Sequence, residues 1–168
     1  MEPAVDSGFK CALTGDALFA SGHAHELIEE GLVYSVRGSL DEGLCALALN
    51  KIDLTSDGEL PCEAIDVVRW AGLRRVHLDK PGFVKHWQRY VNAIRNLLDP
   101  GQQEGYKRAD ELLLRAHEFA RKLMVHFDEL DFFVTASERV PGPLIILHYK
   151  DSEPLVPHFY FLSDGILQ

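Results

Sequence analysis

Two runs of apolar residues at helical spacing, separated by one short polar turn, constrain the fold of this chain more than any other feature. The first, Phe83, Val84, Trp87, Tyr90, Val91, Ile94, Leu97 and Leu98, recurs in steps of three and four and predicts an amphipathic helix from about Gly82 to Leu98. Asp79 stands where an N-terminal cap belongs, Pro81 suits the first turn, and DPG at 99–101 supplies the stop. The second run passes through Lys107, Ala109, Leu112, Leu113, Ala116, Phe119, Ala120, Leu123, Met124 and Phe127, and predicts a longer helix ending near His126. Because only DPGQQEG separates them, the two helices should fold back as an antiparallel hairpin over about residues 82–127.

Around the hairpin the chain reads as strands. GFKCAL, LIEEGLVYSVRG, LCALALN, EAIDVV, LDFFVTAS, PLIILHYK and PHFYFLS are apolar, β-branched or aromatic, with Gly, Pro, Asp and Ser between them. Strands that flank one helical pair, rather than alternating with helices, indicate an α+β fold with a mostly antiparallel sheet. At 168 residues, 46% of them apolar, the chain suits a single domain, 1–168, with a substantial core. Its three cysteines, Cys11, Cys45 and Cys62, form no CxxC pair, so neither a disulfide framework nor a tetrahedral zinc site is announced and a reducing cytoplasm is expected. MEPAVDSGFK lacks the basic and apolar segments of a secretory signal, and no apolar run is long enough to span a membrane.

The net charge of −9 argues against nucleic-acid binding, which needs clustered cations. Its distribution is uneven. Residues 67–98 carry seven basic side chains and one acidic, between acidic flanks. On the predicted first helix the outward face holds Lys85, His86, Gln88, Arg89, Asn92, Arg95 and Asn96, without an acid. Such a face either solvates a helix or docks an acidic partner.

Two motifs invite an enzymatic or metal-binding reading and fail it. ALALNKIDLTSDG places NKID after an apolar run, as in guanine recognition, but no GK dipeptide exists anywhere to supply the phosphate loop that a GTPase requires. Asp53, Thr55, Asp57 and Gly58 match the start of a calcium loop, yet position twelve is Ala64, with Glu63 one place early. What remains is weak, carboxylate-driven calcium association through Asp53, Asp57, Glu59 and Glu63. His23 and His25 lack a third ligand, and His117 and His126 lie half a turn off a common helix face. With neither a GxSxG elbow nor a recognisable Cys and His pair, no catalytic residue is nominated and an enzyme is not expected.

In order along the chain, Phe9, GDALF, EEGLVYSVRG, IDVV, the hairpin and a two-strand finish resemble the translationally controlled tumour protein family. IDVVRWAGLRRVHLDKPGFVKHWQRYVNAI follows the family pattern through Asp66, Val68, Leu73, Lys80, Phe83, Lys85, Tyr90 and Ile94. LDFFVTASERVPGPLIILHY supplies Phe132, Phe133, Gly142 and Tyr149, and PHFYFLSDGI the last strand with its turn at Asp164 and Gly165. The chain resembles a divergent member, with Thr135 and Ala136 where the family has Gly-Glu, a shortened loop, and Ala17 beside Asp16 where the family carries an acidic pair proposed for GTPase contact.

The resemblance implies a β-tent, a curled sheet with the helical hairpin projecting from it and a mobile variable loop at about residues 39–62. It also implies a non-enzymatic, cytoplasmic, monomeric binding module for several protein partners, among them small GTPases, elongation-factor components, tubulin and apoptosis regulators. Growth regulation and microtubule binding would follow. No cofactor is implied beyond weak calcium. The partner-binding residues nominated are Asp16 and the basic set Lys80, Lys85, Arg89 and Arg95. The alternative implied function is catalysed nucleotide exchange on a small GTPase.

Overall fold

The computed structural model describes residues 8–40, 65–98 and 103–167, by backbone alone at 103–107. Among these, four strands come first: β1 (Gly8–Cys11), β2 (Ala17–Ala20), β3 (His25–Ile28) and β4 (Val33–Arg37). The short helix α1 (Asp66–Ala71), strand β5 (Arg74–Val76) and the helices α2 (Lys80–Leu97) and α3 (Gln103–Met124) follow. Strands β6 (Leu130–Val134), β7 (Ile145–Tyr149), β8 (Pro157–Leu162) and β9 (Ile166–Leu167) close the order. Two sheets result, one ordered β2-β1-β9 and the other β3-β4-β8-β7-β6-β5, and every paired strand is antiparallel.

The larger sheet is covered on both faces, and its register shows how. Ser35, Tyr160, Ile146 and Phe132 lie opposite one another across β4, β8, β7 and β6, so they share a face. Tyr160, Ile146 and Phe132 join Phe83, Trp87, Tyr90, Val91 and Ile94 of α2 and Leu112, Ala116, Phe119 and Leu123 of α3 in one core. On the other face Val36, Phe159 and Leu147 pack with Cys11 of β1, Leu18 and Phe19 of β2 and Val67, Val68 and Ala71 of α1. Central strand β8 is therefore buried at all six positions. That is why PHFYFL reads as a continuous apolar run without alternation.

The helical hairpin matches the sequence reading closely. Asp79 caps α2, its Oδ1 accepting from the Gly82 N–H at 2.7 Å, with Pro81 in the first turn. Trp87 Nε1 donates to the Ala116 carbonyl at 3.1 Å, and Phe83 meets Phe127 while Trp87 meets Phe119. The start of α2 thus lies against the end of α3, which makes the pair antiparallel. The stop expected at DPG lies outside the described residues, as does the strand expected at LCALALN.

Two expected strands are corrected. EAIDVV contributes not a strand but the start of α1, because Val67, Val68 and Ala71 bury one side of a helical turn and Asp66 Oδ1 accepts from the N–H groups of Ser39 and Val67, each at 2.8 Å. A stretch of six residues with four apolar ones fits either period, and packing decides. Gly72 ends α1 at φ 66°, in the left-handed region, with its N–H on the Val68 carbonyl. Gly72→Ala is expected to cost about 1 kcal/mol in urea unfolding from this conformation alone, since the nearest atom to an added Cβ is Ala136 Cβ at 3.6 Å. Gly22→Ala, where an added Cβ meets nothing within 4 Å and φ is unremarkable, should leave the midpoint unchanged.

LIEEGLVYSVRG is likewise not one strand but a hairpin, broken by a tight turn in which Glu29, Glu30 and Gly31 all have positive φ, at 52°, 54° and 88°. Two glutamates in that region are strained, so contacts from outside must hold them. Ser163 Oγ donates to the carbonyls of Gly31 and Leu32 at 2.6 and 3.0 Å, Arg115 donates to the Glu29 carbonyl, and Lys122 Nζ binds Glu29 Oε2 at 2.9 Å. The turn fastens α3 to the sheet.

Candidate interaction surface

The buried stripe of α2 leaves its opposite side in solvent, where Lys80, Lys85, Arg89 and Arg95 are all exposed. At about 100° per residue, Lys85, Arg89, Asn92 and Asn96 fall within about 60° of one another and form a single stripe along the helix. Arg95 sits about 80° around from Lys85, on the side facing α3. On that side a groove of about 330 Å³ is lined by Trp87, Gln88, Val91 and Asn92 of α2 and by Leu113, Ala116 and His117 of α3. Lys80 belongs to the first turn, its Nζ 6.0 Å above the Phe127 ring. The nominated basic set therefore divides, with Lys85 and Arg89 together and Arg95 and Lys80 about 80° and 140° around on the same side, toward α3.

Among the described residues no carboxylate forms an ion pair with Lys85, Arg89 or Arg95, whereas Arg37, Arg74, Arg75, Arg108 and Lys122 are each paired. Between these free cations lies His86, half-buried, its imidazole pushed below its ordinary value by burial and by Arg89, against an opposing hydrogen bond to the Gly142 backbone. That contact ties the stripe to the loop between β6 and β7. The surface is thus a basic helix face packed on the aromatic core beneath it.

Asp16 is differently placed. Its Oδ2 accepts from Thr135 Oγ1 at 2.8 Å and from Ser137 Oγ, joining the turn before β2 to the segment after β6. Burial pushes its carboxyl up, but the hydrogen bonds of Ser137, Thr135 and Thr14 outweigh this and hold it below the usual aspartate value. The carboxylate is occupied within the chain. These partners lie 119 and 121 residues away along the chain, so no local signal near GDALF announces them. Asp16→Ala is expected to cost about 1–2 kcal/mol at neutral pH. Because the folded carboxyl titrates below the unfolded one, the contribution is complete above about 3.8 and disappears as the pH falls below it. Urea unfolding of both proteins at pH 7 and pH 3 measures the difference, which should shrink at the lower pH.

The calcium candidates Asp53, Asp57, Glu59 and Glu63, and the variable loop apart from its first two residues, lie outside the described residues. Among the described residues no group of three or more His, Cys, Asp or Glu is arranged to hold a metal. His23 serves the backbone, its Nδ1 accepting from the Ala20 N–H at 3.0 Å, and His25 Nδ1 lies 2.6 Å from the His23 carbonyl. Among the same residues no helix is long and apolar enough to cross a membrane.

Two antiparallel sheets with a helical hairpin laid on the larger, and a cationic helix face turned outward, define an α+β protein whose most distinctive exposed feature is charge. The sequence profile of the translationally controlled tumour protein family matches residues 8–167, and the chain belongs to that family. It is 25% identical to the translationally controlled tumour protein homolog of Schistosoma japonicum over 168 residues, covering 95% of this chain and 96% of that one. With the homolog of Alternaria alternata it is 27% identical, covering 94% and 95%. The solved structure of the translationally controlled tumour-associated protein p23fyp from Schizosaccharomyces pombe superposes with a TM-score of 0.71 over 95% of this chain and 96% of that one. At 19% identity that likeness concerns the fold, and it matches the expected β-tent.

Proposed function

We propose that this chain is a non-enzymatic cytoplasmic binding module that docks acidic segments of other proteins on the Lys85 and Arg89 stripe of α2. The observation that carries the reading is a helix of 18 residues with four basic side chains and no acidic one, its outward cations unpaired among the described residues. Charges already paired within a protein gain little from a partner, whereas exposed unpaired ones steer an acidic partner and fix its register. A glutamate-rich tail such as that of tubulin suits the stripe. Small GTPases and elongation-factor components would be reached in the same way where they present an acidic surface. Exchange catalysis has less support, since Asp16 is occupied by Thr135 and Ser137 and residue 17 is alanine.

A fluorescent glutamate-rich peptide titrated by anisotropy tests the reading. Saturable binding that weakens steeply between about 50 and 300 mM salt is expected, because exposed charge pairs are screened over that range. Binding that is absent at low salt, or indifferent to salt, would contradict it.

A further inference from the structure

On the helix-bearing face of the large sheet, one cross-strand row breaks the apolar pattern. Arg37 of β4 lies opposite His158 of β8, and His158 lies opposite His148 of β7. His158 is 3% exposed, and among the described residues neither ring nitrogen has a hydrogen-bond partner. The carboxylate facing it is Glu153 in the turn between β7 and β8, whose Oε2 is 3.7 Å from His158 Nε2 and already accepts from Arg37. Further along the row, His148 Nε2 and His126 Nδ1 lie 3.5 and 3.3 Å from one oxygen of Glu129, and the two rings stack with centroids 5.7 Å apart. The Tyr160 hydroxyl is 3.5 Å from His148 Nδ1, its phenol pushed up to about 12 by burial and by Glu29. Lys150 follows β7, and Asp128 and Asp151 are exposed in the adjoining turns.

Protonation of His158 would set an imidazolium directly opposite Arg37 on the adjacent strand, beside Lys150 and facing a Glu153 that already accepts from Arg37. Like charges so placed repel. An imidazolium at His158 would also be buried with no acceptor at hydrogen-bond distance among the described residues.

We propose that this row is an acid-operated latch, in which protonation of His158 releases the turn 150–156 between β7 and β8 that is closed at neutral pH. Burial pushes the His158 imidazole below its ordinary value, with Lys150, Arg37 and His148 adding to the effect and Glu153 opposing it. The unfolded or opened chain therefore takes up the proton first. Closure is fully stable above the ordinary histidine value of 6.5 and weakens as the pH falls below it. The released turn carries Val156, which with Arg37, His23 and Asp66 walls a cavity of about 390 Å³, so opening also reshapes that cavity.

Hydrogen exchange followed by mass spectrometry at pH 7.5 and 5.5, corrected for intrinsic rates, tests the latch. The amides of residues 151–158 should exchange at least fivefold faster at pH 5.5 while α2 keeps its protection, and His158→Phe should abolish the acceleration. No acceleration in the natural chain, or an equal one in His158→Phe, would overturn the proposal. Should the substituted protein not fold, imidazole NMR of the natural chain decides instead. Titration of His158 in step with the amides of 151–156 upholds the latch, and titration that leaves them unmoved overturns it.

Discussion

Phe83→Ala is expected to lower the unfolding free energy by about 3–5 kcal/mol, the cost of emptying a large aromatic site in a close-packed core. Phe83 is fully buried, with ring centroids 5.2 Å from Phe132 on β6, 6.1 Å from Trp87 one turn along α2 and 6.1 Å from Phe127 just beyond α3. Helix α2, the sheet and the segment just after α3 meet at this one ring, so none can move into the space without leaving the others. For a chain of this size 1 kcal/mol corresponds to about 2–4 °C, which places the expected loss of melting temperature at roughly 6–20 °C. Val84→Ala, one residue on and 39% exposed, should cost less than about 1 kcal/mol. Calorimetry of the two variants side by side checks the pair. Similar losses would mean that the hairpin is not anchored through Phe83.

The second large effect concerns binding. Replacing Lys85, Arg89 and Arg95 together by Glu should weaken an acidic peptide at least tenfold at low salt and abolish the fall of binding with rising salt, because each cation becomes a repelling charge that salt screens. The fold should survive, since none of the three side chains has an ion-pair partner among the described residues. Arg95 stands in the last turn of α2, where a positive charge favours the helix end, so the triple variant should lose only about 0.5–1 kcal/mol. Single substitutions should separate the three. Lys85→Glu and Arg89→Glu share the stripe and should account for most of the effect, and Arg95→Glu, set toward the groove, for less.

The hairpin was legible because everything that makes it is local. The cap at Asp79, the proline after it and the apolar steps of α2 lie within twenty residues, and the structure reproduces them within two residues at the start and one at the end. The α+β class was legible for a related reason, since strands that flank helices leave a readable order. Other features depend on distance. Glu29 and Glu30 adopt a left-handed turn only because Arg115, Lys122 and Ser163 hold it from far along the chain. Asp16 looked free from its neighbours in sequence, and its partners Thr135 and Ser137 are visible only once the turn before β2 and the end of β6 are adjacent. His148 and His158 sit in runs that read as plain apolar strands, and only the antiparallel register aligns them with Arg37. The basic face of α2 was legible as composition, but its division into a stripe and two cations set around toward α3 follows from helix geometry.

The central claim is that an acidic partner docks on the Lys85 and Arg89 stripe. Titrating an unlabelled glutamate-rich peptide into nitrogen-15-labelled protein at low salt tests it most directly. The account predicts that amide and side-chain resonances of Lys85, Arg89, Asn92 and Asn96 shift together and saturate, while β1, β2 and the Asp16 turn stay unmoved. Shifts concentrated away from α2, or saturable binding that leaves those four residues unchanged, would contradict it.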